Sequence, residues 1–491
     1  MLQSINYRSL PEFAWTINGL SRVSIEKIHE SGLDLLKNIG IKVEDNPRAL
    51  EIFHAGGCII EQHNDYGIAK IPSGIVEDCL QKAPRHIKVY GRSENSGYEF
   101  KLGQVTFTPF GEQIQIIDPK TRKIRTTTQK DVAEITRLCD YFDQVAVVQR
   151  MAAALDKPLG THPVFNAQAM FENTGKHIYI GPVDAEKFRI IADIAAAHAG
   201  GREKLAQKPL FTTLTCPTVP FRLEKNCADL IIESALLEGG GFVSSPVPLL
   251  SMNTPASLAG ALIIVWADIL AGLILGQLTR PGTRTFLSNS GTMLDLRFMG
   301  SDYGAPEMAM ISGAIAKMAQ YFELPSHGSG FHSDSKTVDA QSGYESAMNG
   351  VVAAMSGLNI VNGLGALELG YTFDYAKFML DIDMVDNIKV ILGGVDLSHE
   401  EMALALIKEK GPGGEFLSSQ HTMERMRQLS NPKFFDRRDR KSWLQQELTD
   451  IVDKAYAESQ MIIQSHNPPD VSSDIRRQVD EIIKKYIKDL G

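Results

Sequence analysis

A regular alternation of short strand-like runs and helical stretches begins near residue 104 and constrains the fold more than any other feature. Each run is β-branched or aromatic, and apolar residues at helical spacing follow it. This order is typical of parallel strands joined by crossover helices. The runs are VTFTP (105–109), VAVVQ (145–149), HIYIG (177–181), LFTTLT (210–215), FVSSP (242–246), RTFLS (284–288), LPSHG (324–328) and NIVNG (359–363).

Eight strands between residues 104 and 400 favour a closed barrel over an open doubly wound sheet, which usually has fewer strands. We therefore predict an α/β protein built on a TIM (β/α)8 barrel over residues 104–400. A small N-terminal α/β domain is predicted over residues 1–103, with Ser24 as the N-cap of its first helix, and a C-terminal helical extension over residues 401–491. Barrel helices are predicted near 130–143, 164–175, 184–199, 221–238, 255–278, 305–321 and 339–357.

The charge balance and the cysteines exclude several classes of protein. Lys and Arg total 50 against 59 Asp and Glu, a net charge of −9 that disfavours nucleic acid as a partner. The five cysteines are far apart and include no C-x-x-C pair, which fits a reducing cytoplasm and argues against a disulfide framework. The first 30 residues lack a basic start followed by an apolar run, so no secretory signal is predicted.

The apolar stretch LAGALIIVWADILAGLIL (258–275) is close in length to a membrane span. Asp268 lies in its middle, where a charge costs about 2.5 to 3.5 kcal/mol on insertion scales, and Gln277 and Arg280 follow directly. We predict a buried helix of a large folded protein and no membrane partner. The basic run KFFDRRDRKSW (433–443) is interpreted as a solvated cap or subunit contact, with a basic docking patch as the alternative, and a homo-oligomer is expected.

In such a barrel the functional side chains follow the carboxyl ends of the strands. No G-x-S-x-G, P-loop, H-E-x-x-H or G-x-G-x-x-G motif occurs there. Two glycine-rich segments do occur, GSGFHSDSK (328–336) and GLGALELGYTF (363–373). His327, His332 and Asp334, in or directly before the first segment, match no standard metal-ligand spacing, so no metal site is predicted and loop hydrogen bonds are favoured. The aromatic residues at these strand ends either belong to the core or form a cage for a cation: Phe110, Phe331, Tyr371 and Phe373.

Several longer motifs carry a resemblance to a known family. They are TPASLAGALIIVWADILAGLILGQLTRPGTRTF (254–286), YGAPEMAM (303–310), SDSKTVDAQSGYE (333–345) and LNIVNGLGALELGYTFDYAKFMLDIDM (358–384). With them the sequence resembles the trimethylamine methyltransferase superfamily over nearly its whole length. The resemblance implies a TIM barrel and methyl transfer from a methylated amine to the cobalt of a corrinoid (cobalamin) carried by a partner protein, with no cofactor held tightly by the enzyme.

The founding branch of that superfamily depends on pyrrolysine, whereas this chain is written in the twenty standard residues. The resemblance therefore implies the branch that uses quaternary amines, with glycine betaine favoured and proline betaine or carnitine as alternatives. No residue is assigned as catalytic, because a quaternary ammonium already leaves as a neutral amine and needs no general acid. Positioning of the methyl group and exclusion of water would supply much of the rate.

In this hypothesis the four aromatic residues bind the trimethylammonium group, and His332 or Arg150 binds the carboxylate of the substrate. Residues at the rim, facing the corrin, are expected to be Asn289, Asp334, Lys336 and Glu368. Two alternatives stay open. One is a metal-dependent barrel hydrolase or lyase using His327, His332, Asp334 and Glu368, which bound zinc or manganese would favour. The other is a betaine sensor, which tight binding without methyl transfer would favour.

Overall fold

The computed structural model describes residues 19–93, 96–426, 429–445 and 450–490. The prediction that the first 30 residues carry no secretory signal falls largely on residues 1–18, which lie outside the described residues. In chain order, the first part contains α1 (Arg22–Asn38), β1 (Ile41–Glu44), α2 (Pro47–Ala55), β2 (Ile59–Gln62), β3 (Tyr66–Lys70), α3 (Ser73–Lys82), β4 (Ile87–Val89) and β5 (Tyr98–Phe100).

The middle part alternates strands and helices. It contains β6 (Thr106–Pro109), β7 (Gln115–Ile117), β8 (Ile124–Thr126), α4 (Gln129–Tyr141), β9 (Val147–Gln149), α5 (His162–Asn173), β10 (His177–Ile180), α6 (Ala185–Ala199), α7 (Arg202–Gln207), β11 (Phe211–Thr215), β12 (Arg222–Leu223), α8 (Lys225–Leu236), β13 (Gly241–Ser244), β14 (Leu249–Leu250), α9 (Leu258–Thr279), β15 (Arg284–Asn289), β16 (Thr292–Asp295), β17 (Gly300–Asp302), α10 (Pro306–Tyr321), β18 (Ser326–Ser329), α11 (Ala340–Met355), β19 (Ile360–Leu364), β20 (Ala366–Leu367), a 3-10 turn (Glu368–Gly370), β21 (Thr372–Phe373) and α12 (Tyr375–Leu392). The last part contains α13 (His399–Met402), α14 (Leu404–Lys410), α15 (Gln420–Arg425), α16 (Arg440–Leu444), α17 (Ile451–Ser465) and α18 (Ser473–Leu490).

Eight parallel strands form the barrel in the order β6-β19-β18-β15-β13-β11-β10-β9. Each of the eight predicted runs overlaps one of them, and each of the seven predicted helices overlaps a helix. The barrel closes between β9 and β6 through side chains: the hydroxyls of Thr106 and Thr108 accept from the N–H groups of Ala146 and Gln149, both at 2.9 Å. The predicted α/β barrel is confirmed.

The hairpin β4–β5 seals the amino-terminal end of the barrel. Its apolar side chains pack with Val147, Tyr179, Val243, Phe286 and Ile360, which come from five different barrel strands. At its edge Arg284 donates to the Lys88 carbonyl at 2.8 Å. With that end filled, the opposite, carboxyl end of the strands is left for a site.

Helix α9 is the apolar stretch that resembles a membrane span. Among the described helices it is the one long and apolar enough to cross a membrane, but 72% of its most apolar 18-residue segment is buried inside the protein. Trp266 Nε1 donates to His29 Nδ1 at 3.0 Å, and Asp268 accepts from the Phe221 N–H at 2.8 Å. The helix packs against α1, α3 and α8 as a core helix; the absence of a membrane partner stays a prediction.

The N-terminal and C-terminal parts share cores with the barrel. Residues of α1, α2 and α3 belong to the same apolar cluster as α9, and residues of α17 and α18 belong to the cluster around α4, α6 and α12. The division at residues 103 and 400 stays a prediction. One detail was wrong: the N-cap of α1 is Ser21, whose side chain accepts from the Ser24 N–H, because the helix begins two residues before Ser24.

Candidate active site

A layer of polar side chains crosses the barrel just below its carboxyl end. His327 of β18 bonds to the Ser288 hydroxyl at 2.8 Å through Nδ1 and donates from Nε2 to the Gln149 side-chain oxygen at 2.7 Å. Burial lowers the pKa of His327 to about 3, so the ring is neutral. This layer offers neutral hydrogen-bonding groups at the floor of the mouth.

Three aromatic rings meet above that floor. Phe110, which follows β6, lies edge-on to His332 with ring centroids 4.3 Å apart. Tyr303 lies 5.3 Å from His332 and 6.2 Å from Phe110, and its hydroxyl donates to the Ser290 carbonyl at 2.9 Å. Tyr303 was not assigned a role from the sequence, although it begins the quoted motif YGAPEMAM.

His332 is fully buried, and neither ring nitrogen has a hydrogen-bond partner in the described part of the chain. Burial, and then the charge of Lys377, lower its pKa to about 3. The ring is therefore neutral and can offer a hydrogen bond, but no positive charge, to a carboxylate; the assignment of His332 as the carboxylate donor stays a prediction. Two ring nitrogens without partners among the described residues, beside the rings of Phe110 and Tyr303, make it a group that can hydrogen-bond to a ligand.

Two predicted members of the aromatic cage lie elsewhere. Phe331 is fully buried against Phe107 and beside Gly350 of α11, and Phe373 is fully buried against Tyr375 and Phe378. Both belong to the core between strands and helices. Their placement at the mouth was wrong, because each side chain points to the helix layer. Tyr371, by contrast, is 56% exposed at the end of the 3-10 turn.

Arg150 follows β9 and is held by neighbours. Its Nη1 donates to the Gly181 carbonyl at 2.8 Å and lies 3.2 Å from a carboxylate oxygen of Glu112. Glu112 also accepts from Asn166 at 3.0 Å and lies 3.4 Å from His162 Nε2. Burial raises the pKa of Glu112, but Arg150 and His162 lower it more, and the result lies below its usual range. Glu112 follows the end of β6 and was not assigned a role from the sequence.

Of the four residues expected at the rim, two are at least partly exposed and two are buried. Asp334 is buried and accepts from the N–H groups of Tyr303 and Gly304 at 3.0 and 2.7 Å, while burial raises its pKa to about 6. Lys336 is exposed and donates to the Asp334 carbonyl at 2.7 Å. Glu368 is partly exposed and accepts from the Thr372 hydroxyl. Asn289 was wrongly placed at the rim: it is fully buried and accepts from the Gly291 N–H at 3.3 Å, which shapes the loop after β15.

The residues of the metal-dependent alternative have separate partners. His327 bonds within the polar layer, Asp334 accepts from two backbone N–H groups, and Glu368 binds a threonine. Among the described residues no group of three or more His, Cys, Asp or Glu side chains is arranged to hold a metal ion. The geometry therefore gives this alternative no support.

Comparison with known proteins shows the family. The pattern of the family described as Trimethylamine methyltransferase (MTTB) matches residues 3–491. This chain belongs to the trimethylamine methyltransferase family. It is 36% identical over 478 residues to trimethylamine methyltransferase MttB of Desulfitobacterium hafniense (strain DSM 10664 / DCB-2), covering 96% of this chain and 95% of that protein.

Two further likenesses bear on the family. Glycine betaine methyltransferase of Desulfitobacterium hafniense (strain Y51) is 28% identical over 479 residues, covering 96% of this chain and 98% of that protein. Among solved structures, Methanosarcina barkeri monomethylamine methyltransferase (MtmB) matches with a TM-score of 0.52 at 13% identity, covering 92% of this chain and 93% of that one. The second likeness supports the barrel fold alone. The chain is a methyltransferase of this family.

Proposed function

We propose that this protein transfers a methyl group from a quaternary ammonium compound to the cobalt(I) of a corrinoid held by a partner protein. The observation that carries the proposal is the meeting of Phe110, Tyr303 and His332 at the barrel mouth. Aromatic faces attract a cation with about 0.5 to 2 kcal/mol each, more when water is excluded. The neutral polar floor below them supplies no competing positive charge.

The chemistry of the donor supports this choice. The bond between nitrogen and the methyl carbon breaks with its electron pair left on nitrogen, which gives a neutral tertiary amine. The cobalt(I) ion supplies the two electrons of the new cobalt–carbon bond. No proton is moved, so the enzyme has to bind the cation, align the methyl group and exclude water. Trimethylamine lacks the fourth substituent and is expected to be inert with a chain of standard residues.

The identity of the amine is the finer question. The resemblance favours glycine betaine, with proline betaine and carnitine as alternatives, and one relative is described as a glycine betaine methyltransferase. Arg150, one of the two residues predicted to bind a carboxylate, already contacts Glu112.

The corrinoid partner is proposed to dock over the barrel mouth, where the methyl group is released. Large apolar side chains are exposed on the loops of that end. They are Leu159, Met252, Leu296, Phe298 and Met299, and the last three lie at the tip of the β16–β17 hairpin. An exposed apolar patch beside a site is typical of a protein interface. The corrinoid belongs to the partner in this proposal; a cytoplasmic location and a homo-oligomer are also proposed.

One assay tests the proposal. The protein is incubated with cobalt(I) cobalamin and, separately, with trimethylamine, glycine betaine, proline betaine, carnitine, choline and tetramethylammonium, and methylcobalamin is followed by absorbance. At least one quaternary compound should react while trimethylamine does not. Trimethylamine turnover equal to that of the best quaternary donor would contradict the mechanism, and tight binding without methyl transfer would favour a sensor.

A further inference from the structure

The charge at the barrel mouth is distributed unfavourably for an anionic group. Arg150 carries the guanidinium group predicted from the sequence to bind the carboxylate of the substrate, and a carboxylate oxygen of Glu112 lies 3.2 Å from its Nη1. The two side chains are only 16% and 20% exposed. A close charge pair with this little solvent is screened weakly, so separating it is costly.

The neighbours of Glu112 hold it in place. Asn166 donates to one of its oxygens at 3.0 Å, and His162 lies 3.4 Å from the same oxygen. Arg150 in turn donates to the Gly181 carbonyl, so both members of the pair have fixed partners. A substrate carboxylate could reach Arg150 only beside Glu112 or by displacing it, and like charges at such distances repel.

Acidic side chains of the segments that follow β18 and β19, with one from α11, add more negative charge. Asp334 lies against Tyr303, Glu345 accepts from the Ser333 hydroxyl at 2.6 Å, and Glu368 is part of the 3-10 turn. The ammonium group of Lys336 is directed to a backbone carbonyl. The buried His332 ring is neutral and has two unpartnered nitrogens, which suit a hydroxyl or a water molecule as well as any charged group.

We propose that Glu112 is a specificity-determining residue, and that the methyl donor is a quaternary ammonium ion whose other substituents carry no negative charge. This rests on the proposed function. Choline and tetramethylammonium represent the class. An acidic mouth attracts a cation and gains nothing from a zwitterion, and the Arg150–Glu112 pair stays intact when such a cation binds. Loss of the methyl group leaves a neutral dimethylaminoethanol or trimethylamine and methylated cobalt.

The test compares the unmodified protein, Glu112→Gln and a matched control, Glu238→Gln. Glu238 also pairs with an arginine, Arg280 at 3.6 Å, but it lies between α8 and β13 at the other end of the barrel. For each protein, kcat/KM with cobalt(I) cobalamin is measured for choline, tetramethylammonium and glycine betaine. Binding of the three compounds is measured by calorimetry without cobalamin.

The unmodified protein and Glu238→Gln should prefer choline to glycine betaine by at least about tenfold. In Glu112→Gln the freed guanidinium should raise kcat/KM for glycine betaine by about tenfold, the size expected for one charge-assisted hydrogen bond, and lower that for choline. A preference for glycine betaine in the unmodified protein, or an unchanged ratio in Glu112→Gln, overturns the proposal.

Two further measurements distinguish a failure of this inference from a failure of the proposed function. If Glu112→Gln does not fold, Arg150→Gln should strengthen choline binding and leave glycine betaine binding weak; the opposite result overturns the inference. If no quaternary compound methylates cobalamin, the proposed function fails. Calorimetry then decides alone: tighter binding of choline than of glycine betaine supports the charge argument, and equal or reversed affinities overturn it.

Discussion

The ring of Phe110 lies edge-on to the ring of His332, with centroids 4.3 Å apart and planes at 74°. Phe110 follows the first barrel strand and His332 follows the seventh, and the eighth strand lies between them in the sheet. The turn after that eighth strand passes close to both rings: a Cβ at Gly370 would come within 3.1 Å of Phe110. Three loops therefore fix the relative position of two rings.

Phe110→Ala should weaken binding of the quaternary ammonium donor by about 0.5 to 2 kcal/mol, because it removes one aromatic face from the mouth. Phe373→Ala is the control. It should destabilise the protein by about 3 to 5 kcal/mol, since it empties a buried position, and leave the affinity of the folded protein unchanged. Calorimetric titration and urea unfolding measure the two effects, and equal losses of affinity would place Phe373 back at the mouth.

His332→Asn should flatten the dependence of stability on pH. Burial lowers the pKa of His332 to about 3 in the folded protein, below the unfolded value of about 6.5. Its contribution to stability is present above the unfolded pKa and is lost as the pH falls toward 3, at about 1.4 kcal/mol per pH unit. Urea midpoints between pH 4 and 7 test this. The neighbouring variant Phe331→Leu carries no titrating group, so its slope should match the original.

Lys377→Met should destabilise the protein strongly. Lys377 and Asp381 form an ion pair at 2.6 Å with both side chains 2% exposed, and Lys377 also donates to the Phe331 carbonyl at 3.1 Å. Removal of the lysine leaves a buried carboxylate unpaired, which costs about 3 to 5 kcal/mol. The double variant Lys377→Met/Asp381→Leu should recover much of that loss. Equal destabilisation in the single and double variants would show that packing, and not the unpaired charge, sets the cost.

Asp268→Asn should stabilise the protein at alkaline pH. Burial raises the pKa of Asp268 well above its usual value, and one of its oxygens has no partner among the described residues. A raised folded pKa means that stability is present at low pH and is lost as the pH rises above the unfolded value of about 3.9. The amide keeps an acceptor for the Phe221 N–H and does not titrate. Thermal unfolding at pH 5 and pH 8 should show that the Tm of the variant exceeds that of the unmodified protein by more at pH 8 than at pH 5.

Phe298→Ser/Met299→Ser should raise the KM for the corrinoid protein by at least about fivefold, the loss expected when central apolar contacts of an interface are removed. These side chains are 80% and 70% exposed at the tip of the β16–β17 hairpin. Turnover with free cobalamin should change far less. Leu236→Ser, 47% exposed at the end of α8, is the control. An unchanged KM for the double variant would remove the hairpin from the docking surface.

Local patterns in the sequence determined the barrel. A strand buried on both faces needs a short continuous apolar run, and a crossover helix needs its own periodicity. Both signals depend on neighbours in the chain, so each of the eight strands and seven helices was predicted close to where it lies. The burial of α9 was also predicted, because Asp268 and the polar residues after it are visible in the sequence itself.

The tertiary structure alone decided the site. Phe110 and Phe373 both follow barrel strands, yet one ring meets His332 and the other packs in the core, since the path of each loop sets the direction of its side chain. Arg150 and Glu112 are 38 positions apart in the chain, and their pairing exists only because β6 and β9 close the barrel side by side. The sequence thus determined which residues lie at the strand ends. Contacts across the closed barrel determined which of these side chains touch one another, which are uncharged and which charged groups already form an ion pair.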